Sequence, residues 1–153
     1  MAVEVKLRGL EQLKRELKAL APNLRRRAIR NALSAGARVF RDEARRLAPI
    51  LDAPIISKGK VIRVPGTLKK AIRVRTSKQA RRAGDVGVFV NVKPARGSDR
   101  GTAKDPFYWR FVEFGASQAQ AKPFLRPAAN SKMGEALKKI EATLGPQIRK
   151  LNK

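Results

Sequence analysis

The longest helical pattern in the sequence runs from Leu24 to Leu47, and it constrains the fold more than any other feature. At about 100° per residue, one group of apolar side chains falls between about 40° and 180° on the helical wheel. These are Ala28, Ile29, Ala32, Leu33, Val39, Phe40 and Leu47. Asn23 is well placed as an N-cap, and Pro49 lies beyond the end as a stop. A helix with one apolar face buries it against another element.

The same helix is basic on its other side. On the wheel, five arginines fall between about 240° and 320°, in a sector they share with Ser34: Arg27, Arg30, Arg38, Arg41 and Arg45. The whole chain has 36 Lys and Arg against 12 Asp and Glu, a formal net charge of +24. This basic face is predicted to contact DNA or an acidic partner, since solubility alone explains so large an excess poorly. Three charged residues interrupt the apolar sector: Arg25, Glu43 and Arg46. They could be frayed helix ends, buried pairs or contacts with another subunit.

Shorter patterns surround this helix. Val3, Val5 and Leu7 alternate as in a strand, and the spacing of the leucines from Leu10 to Leu20 predicts a short helix that ends near Pro22. Residues 50–66 contain several Pro and Gly residues, which interrupt regular secondary structure. This pattern predicts a long excursion of the chain that could form a hairpin. Near the C-terminus, helical spacing predicts a further helix through Met133, Leu137, Ile140 and Leu144, capped by Asn130 or Ser131 and stopped at Gly145-Pro146.

Three segments in the middle of the chain are interpreted as strands. Thr67–Ser77 alternates around Ile72 and Val74, and after a basic turn, Lys78–Gly84, Asp85–Val92 is expected to be its antiparallel partner. Residues 93–106 predict a mobile loop. Phe107–Phe114 is rich in aromatic residues and is interpreted as a third strand of the sheet, or as a strand that enters a turn at Gly115.

The residue types exclude most enzyme chemistry. The chain has no Cys and no His, which removes thiol nucleophiles, Ser-His-Asp triads and zinc sites built on these ligands. Asp42 and Glu43 are adjacent and point about 100° apart on a helix, so they do not form a shared acid/base site. Neither a P-loop nor a dinucleotide-binding glycine motif occurs. No enzymatic activity, cofactor or metal is therefore predicted.

Length and hydropathy predict one soluble domain. A chain of 153 residues with 42% hydrophobic residues is long enough to bury a core, so residues 1–153 are predicted to form a single domain with a basic tail at about 146–153. The N-terminus lacks the pattern of a signal peptide and is interpreted as mature sequence. Charges interrupt every apolar run before the roughly 18 residues that a membrane helix needs.

One acidic residue in the aromatic segment needs an explanation. Glu113 lies between apolar neighbours, and it requires a partner if it is buried. Arg126 is the candidate partner, in a segment, Lys122–Ala128, that is interpreted as a loop and a helix start with Pro127 in the first turn.

At these residues the sequence resembles a family, the tail-completion or neck proteins of long-tailed bacteriophages, which includes the lambda minor tail protein Z. The family-like elements, in order, are Val5–Leu17, the long helix closed by Ala48-Pro49, Gly66-Thr67-Leu68, Phe111–Gly115 and Pro123–Ala128. In the family a Thr commonly follows the Glu-Phe-Gly, where this chain has Ala116. The family also passes quickly from the Ala-Pro to the Gly-x-Leu, where this chain inserts residues 50–65.

The resemblance implies an α+β subunit, with an antiparallel sheet packed against one long helix, a short N-terminal helix and a C-terminal helix. It implies a structural virion protein in a homo-oligomeric ring, expected to be a hexamer, that joins the capsid connector to the tail tube around the DNA path. Its partners would be head-closure, connector, tail-terminator or tail-tube proteins, with non-specific contact to genomic DNA and none to membrane. It would be located at the neck or tail end of the virion, and in the host cytoplasm during assembly.

Ring formation needs heterologous interfaces, in which one patch meets a different patch on the next subunit. The candidate interface residues are Phe111, Glu113, Phe114, Gly115, Pro123, Phe124 and Arg126, together with the long loops 50–65 and 93–106. The alternative function is that of a non-specific nucleic-acid-binding protein, which the net charge of +24 favours.

Overall fold

The computed structural model describes residues 10–151. Its elements in chain order are α1 (Leu10–Ala19), α2 (Pro22–Leu47), β1 (Ile55–Ser57), β2 (Lys60–Arg63), α3 (Thr67–Ala71), β3 (Ile72–Thr76), α4 (Lys78–Arg82), β4 (Val88–Val92), a 3₁₀ turn (Gly97–Asp99), α5 (Trp109–Phe114) and α6 (Leu125–Leu151). The predicted α+β class is confirmed. The strand predicted at Val3–Leu7 lies outside the described residues, as do the last two residues of the predicted basic tail.

The first two helices lie where the sequence predicts them, but the predicted N-cap was wrong. Helix α2 begins at Pro22, so Asn23 lies inside the helix. Proline suits the first helical position because its fixed φ fits the helix and that position needs no N–H donor. Arg25 donates from Nη2 to the carbonyl oxygens of Lys18, at 2.8 Å, and Leu20, at 3.1 Å. It therefore satisfies carbonyl groups that the end of α1 leaves without helical partners.

Both predicted strand pairs are present. The excursion after α2 forms the antiparallel hairpin β1–β2, with an irregular register between Ile55 and Ile56. Strands β3 and β4 form a second pair. Two backbone hydrogen bonds of 2.8 Å lie at the two ends of this pair, one from Ser77 N to Gly87 O and one from Lys93 N to Ala71 O. They show that the two strands run antiparallel. Two short helices differ from the prediction: α3 lies where the start of a strand was predicted, and α4 lies where a basic turn was predicted.

The third strand predicted at Phe107–Phe114 was wrong, because residues 109–114 form helix α5. Trp109 and Val112 pack against the core, and Glu113 is buried, whereas Phe111 and Phe114 are exposed. The inward-facing residues Trp109, Val112 and Glu113 stand at positions i, i+3 and i+4, which is the spacing of one face of a helix. Burial of this one face overrides the strand preference of the aromatic residues.

For the last helix, the caps predicted at Asn130 or Ser131 and the stop predicted at Gly145-Pro146 were wrong, whereas the helix start predicted around Pro127 is confirmed. Helix α6 begins at Leu125, upstream of the caps predicted at Asn130 or Ser131, and Pro127 lies in its first turn as predicted. It also continues through Gly145-Pro146 to Leu151. An interior proline removes one helical hydrogen bond and costs about 3 kcal/mol. Ile148, two residues after this proline, is fully buried, and its packing offsets part of this cost.

The described residues group into two compact units. Of the described residues, unit 1 takes 10–39, 76–89 and 133–151, and unit 2 takes 40–75 and 90–132. The core of unit 2 joins the end of the long helix to β3, β4 and the start of α6, through Ala44, Ala48, Leu68, Ile72, Val92, Phe124 and Ala128. The antiparallel pair therefore packs against the long helix as predicted. That the chain is one domain stays a prediction.

Within unit 1, helices α2 and α6 approach closely at Gly36. A Cβ atom placed on Gly36 would lie 2.5 Å from Ile140 Cγ1 and 3.0 Å from the carbonyl oxygen of Ala136. Contacts this short require the neighbours to move. Gly134, also in α6, has no atom within 4 Å of its hypothetical Cβ.

These two glycines give opposite expectations for an alanine substitution. Gly36→Ala is expected to lower the free energy of unfolding by about 1–2 kcal/mol, because overpacking outweighs the better helix propensity of alanine. Gly134→Ala is expected to raise it by about 0.5–1 kcal/mol, because only the propensity changes. Urea denaturation of the two variants measures both values. Shifts of the same sign would contradict the close approach at Gly36.

Candidate assembly interface

Glu113 is the best-connected side chain of the aromatic segment. It is 1% exposed. Its Oε2 accepts hydrogen bonds from Phe124 N at 2.8 Å and Leu125 N at 3.0 Å, and its Oε1 accepts from Arg126 N at 3.1 Å. Arg126 Nε lies 3.5 Å from Oε1, and Arg126 Nη2 donates to the carbonyl oxygen of Glu113 at 3.4 Å. The predicted partnership of Glu113 with Arg126 is confirmed.

This carboxylate caps helix α6. The first N–H groups of a helix have no partner within it, and the positive end of the helix dipole attracts an anion. Burial tends to raise the pKa of Glu113, but the N–H groups of Phe124, Leu125 and Arg126 and the Arg126 guanidinium outweigh it. The pKa of Glu113 therefore lies below its ordinary value of 4.5, and the group is charged at neutral pH.

The lowered pKa of Glu113 predicts a loss of stability in acid. A carboxyl whose pKa is lower in the folded than in the unfolded state stabilises the fold above its unfolded-state pKa. This contribution disappears as the pH falls through the lower, folded-state pKa. The difference in free energy of unfolding between the wild-type chain and Glu113→Gln is therefore expected to be full at pH 7 and to shrink below the ordinary pKa of 4.5. Urea denaturation at several pH values measures this, and a difference independent of pH would contradict it.

Gly115 returns the chain from α5 toward α6. Its φ of 82° and ψ of 174° lie in a region that glycine alone occupies without strain. A Cβ atom there would also lie 3.2 Å from Ala119 O and from Ala121 N. After this turn, Lys122 N donates to Val112 O at 2.8 Å. The turn therefore brings the start of α6 to the carboxylate of Glu113.

The structure separates the seven predicted interface residues by exposure. Phe111, Phe114, Pro123 and Arg126 are exposed, Gly115 is half-buried, and Glu113 and Phe124 are buried. The Arg126 guanidinium lies 5.1 Å from the centroid of the Phe114 ring, a cation–π distance. The buried members hold the segment in shape, and the exposed ones are available to a neighbour. Their role in an interface stays a prediction.

A groove of about 360 Å³ opens beside Phe111 in unit 2. Most of its lining is apolar, and it includes Ile50, Leu51, Tyr108, Phe111 and Val112. Arg63, at the end of β2, also lines it and stacks over the Tyr108 ring at 4.2 Å and the Phe107 ring at 4.9 Å. These contacts hold the end of the hairpin against the aromatic segment.

The hairpin itself is covered by little of the chain. Its four large apolar residues, Ile55, Ile56, Val61 and Ile62, are between 40% and 64% exposed. Of the ten exposed large hydrophobic residues in the described part of the chain, eight belong to unit 2. Apolar surface concentrated in this way marks interaction sites on soluble proteins. The length of this segment made it an interface candidate from sequence, whereas the exposure of its isoleucines depends on tertiary structure.

The predicted basic face of α2 is not uniform. In unit 2, Arg41 pairs with Asp42 at 2.8 Å, and Arg45 donates to the carbonyl oxygen of Ile72 at 2.9 and 3.2 Å. Arg45 thus links the helix to the start of β3. In unit 1, the other three, Arg27, Arg30 and Arg38, are exposed.

The loop 93–106 is organised around one buried acid. Asp105 is 6% exposed and accepts hydrogen bonds from Gly101 N at 2.8 Å and Ala95 N at 3.4 Å.

Between residues 10 and 151, no three acidic side chains come close enough to hold a metal ion together. In the same range, no helix has the length and apolar character that a membrane span requires.

Comparison with known proteins identifies a family whose model matches the chain. A family described as "HK97-gp10_like: Bacteriophage HK97-gp10, putative tail-component" matches residues 11–115. The matched range includes the long helix, the hairpin and Glu113, and it ends at Gly115, before Arg126. No curated protein and no solved structure matches the chain.

Proposed function

Because the chain belongs to the HK97-gp10-like family of bacteriophage tail components, we propose that it is a ring subunit of the head–tail connection. A tail component is a structural protein of the virion. The narrower proposal is that copies of this chain form a closed ring, expected to be a hexamer, between the capsid connector and the tail tube. This ring surrounds the DNA path and is assembled in the host cytoplasm.

The observation that supports assembly is the apolar surface of unit 2. It comprises the exposed hairpin residues, the groove beside Phe111, and the exposed rings of Phe107, Phe111 and Phe114. A closed ring requires two different patches that meet on neighbouring subunits. Both the protruding hairpin and the apolar groove belong to unit 2, and they offer two such patches.

The test replaces an exposed ring of this surface in an otherwise intact phage. Phe111→Ser removes a ring that is 55% exposed and lines the groove. Phe89→Ser is the matched control, because Phe89 is 40% exposed and belongs to unit 1. We expect Phe111→Ser to leave filled heads and tails unjoined in electron micrographs of lysates, and Phe89→Ser to give complete particles.

Light scattering of the purified proteins gives a second readout. The wild-type chain and Phe89→Ser are expected to form one discrete oligomer, and Phe111→Ser to lose it at equal concentration. Complete particles from phage that lack this protein would refute the connecting role. Equal loss in both variants would refute the assignment of the interface to unit 2.

A further inference from the structure

A separate cleft in unit 1 gathers three guanidinium groups. It has a volume of about 120 Å³, and Arg26 and Arg30 of α2 line it together with Arg81 of α4. Ser77 also lines this cleft, and Asp85 is the one acid among its lining residues. A volume of this size has room for several water molecules, and hence for a small anion.

The positive charge of the three arginines exceeds the one negative charge that lines the cleft, that of Asp85. Arg41, Arg46 and Arg126 each lie within 4 Å of a carboxylate oxygen. Among residues 10–151, Arg26, Arg30 and Arg81 make no such ion pair. Guanidinium groups that share one cleft repel each other, and an anion between them would remove this repulsion.

The side chains that line the cleft suit a phosphate ligand. The guanidinium fork of arginine matches the oxygens of a phosphate bidentately, and two helices supply such forks to this cleft. No aromatic residue lines the cleft, so it has no platform on which an unpaired base could stack. The net charge of +24 attracts a polyanion over a long range.

We propose that the Arg26–Arg30–Arg81 cleft binds a backbone phosphate of duplex DNA and does not read its sequence. Of these residues, only Arg30 belongs to the basic face predicted from sequence. Arg81 reaches the cleft from a position 51 residues further along the chain, by the numbering of the sequence. This proposal concerns DNA binding by the chain itself and does not depend on ring formation.

The test measures binding of the full chain to a short mixed-sequence DNA duplex at several salt concentrations. The double variant Arg30→Gln/Arg81→Gln is compared with Arg26→Gln/Arg149→Gln as a half-cleft variant and with Arg149→Gln/Lys150→Gln as a control. Arg149 and Lys150 are exposed on α6. This control loses two positive charges, the same number as the first double variant. All these positions are exposed, and melting curves check that each variant folds.

The cleft and the control are expected to differ in both affinity and salt dependence. Arg30→Gln/Arg81→Gln should weaken binding on the order of tenfold at low salt and reduce the slope of log Kd against log salt by about 1, the value for one phosphate contact. Arg30→Lys/Arg81→Lys should weaken binding while keeping the slope, since it keeps the charges and loses the forks. The control should change neither quantity by a comparable amount.

Two outcomes would overturn the proposal. If the control weakens binding as much as the cleft variant, the attraction comes from net charge and not from the cleft. If polyglutamate competes as strongly as duplex DNA, and the cleft variant loses both equally, the cleft serves acidic protein surfaces instead.

Discussion

Replacing Phe124 with alanine is expected to lower the free energy of unfolding by about 3–5 kcal/mol. Phe124 is 0% exposed and packs in the core of unit 2 with residues of the long helix and of both strands of the β3–β4 pair. Its backbone N–H also donates to Glu113 Oε2 at 2.8 Å, which holds the backbone at this position. Since both anchors hold this position, we expect the site to collapse little and the cavity to remain.

Phe114→Ala is the matched control for this prediction. It removes the same ring ten residues earlier in the sequence, where the side chain is 61% exposed. Its effect on the free energy of unfolding is expected to stay within about 0.5 kcal/mol, as for other surface positions. Urea denaturation of both variants measures the difference. Equal destabilisation would show that the two rings do not differ in burial.

Helix α5 shows why local pattern alone is insufficient here. Its residues include Trp109, Phe111 and Phe114, which favour strands, and the segment is too short for a helical period to be clear. What decides the structure is which residues find a buried partner. Glu113 can be buried only where N–H donors meet it, and the helix places it beside Val112 on the inner face.

The capping residue of α6 was missed because it is distant in sequence. Side-chain caps are sought within a few residues of a helix start, and Asn130 and Ser131 suit that rule. The actual cap, Glu113, is 11 residues before Phe124, whose N–H it accepts. The need for a partner of Glu113 could be inferred from its apolar neighbours. That it receives three backbone N–H groups depends on the turn at Gly115.

The basic face of α2 likewise shows that local pattern alone does not establish how each charged residue is used. A helical wheel places Arg30 and Arg45 on one side of α2, but it cannot show what the rest of the chain brings to them. Arg45 meets the carbonyl oxygen of Ile72 and is used within the fold. Arg30 lines a cleft together with Arg81, and it makes no ion pair among the described residues. Helix geometry could therefore predict the face, and only tertiary structure could separate the arginines by role.

Glu113→Gln at neutral pH is expected to lower the free energy of unfolding by about 1–3 kcal/mol. The glutamine keeps the size of the side chain but loses the charge that the N–H groups of Phe124, Leu125 and Arg126 and the Arg126 guanidinium stabilise. Its amide nitrogen also brings a donor to a position where the backbone supplies donors. One N–H group of the helix start therefore loses its acceptor.

Glu141→Gln is the control, since Glu141 is an exposed residue of the same helix. Its substitution is expected to change the free energy of unfolding by less than about 0.5 kcal/mol. Because Glu113 holds the turn that carries Phe114 and Arg126, the yield of assembled particles should also fall for Glu113→Gln and not for Glu141→Gln. Equal melting temperatures and equal assembly yields for the two variants would refute a structural role for Glu113. A loss of assembly without a loss of stability would instead place its effect at the contact between subunits.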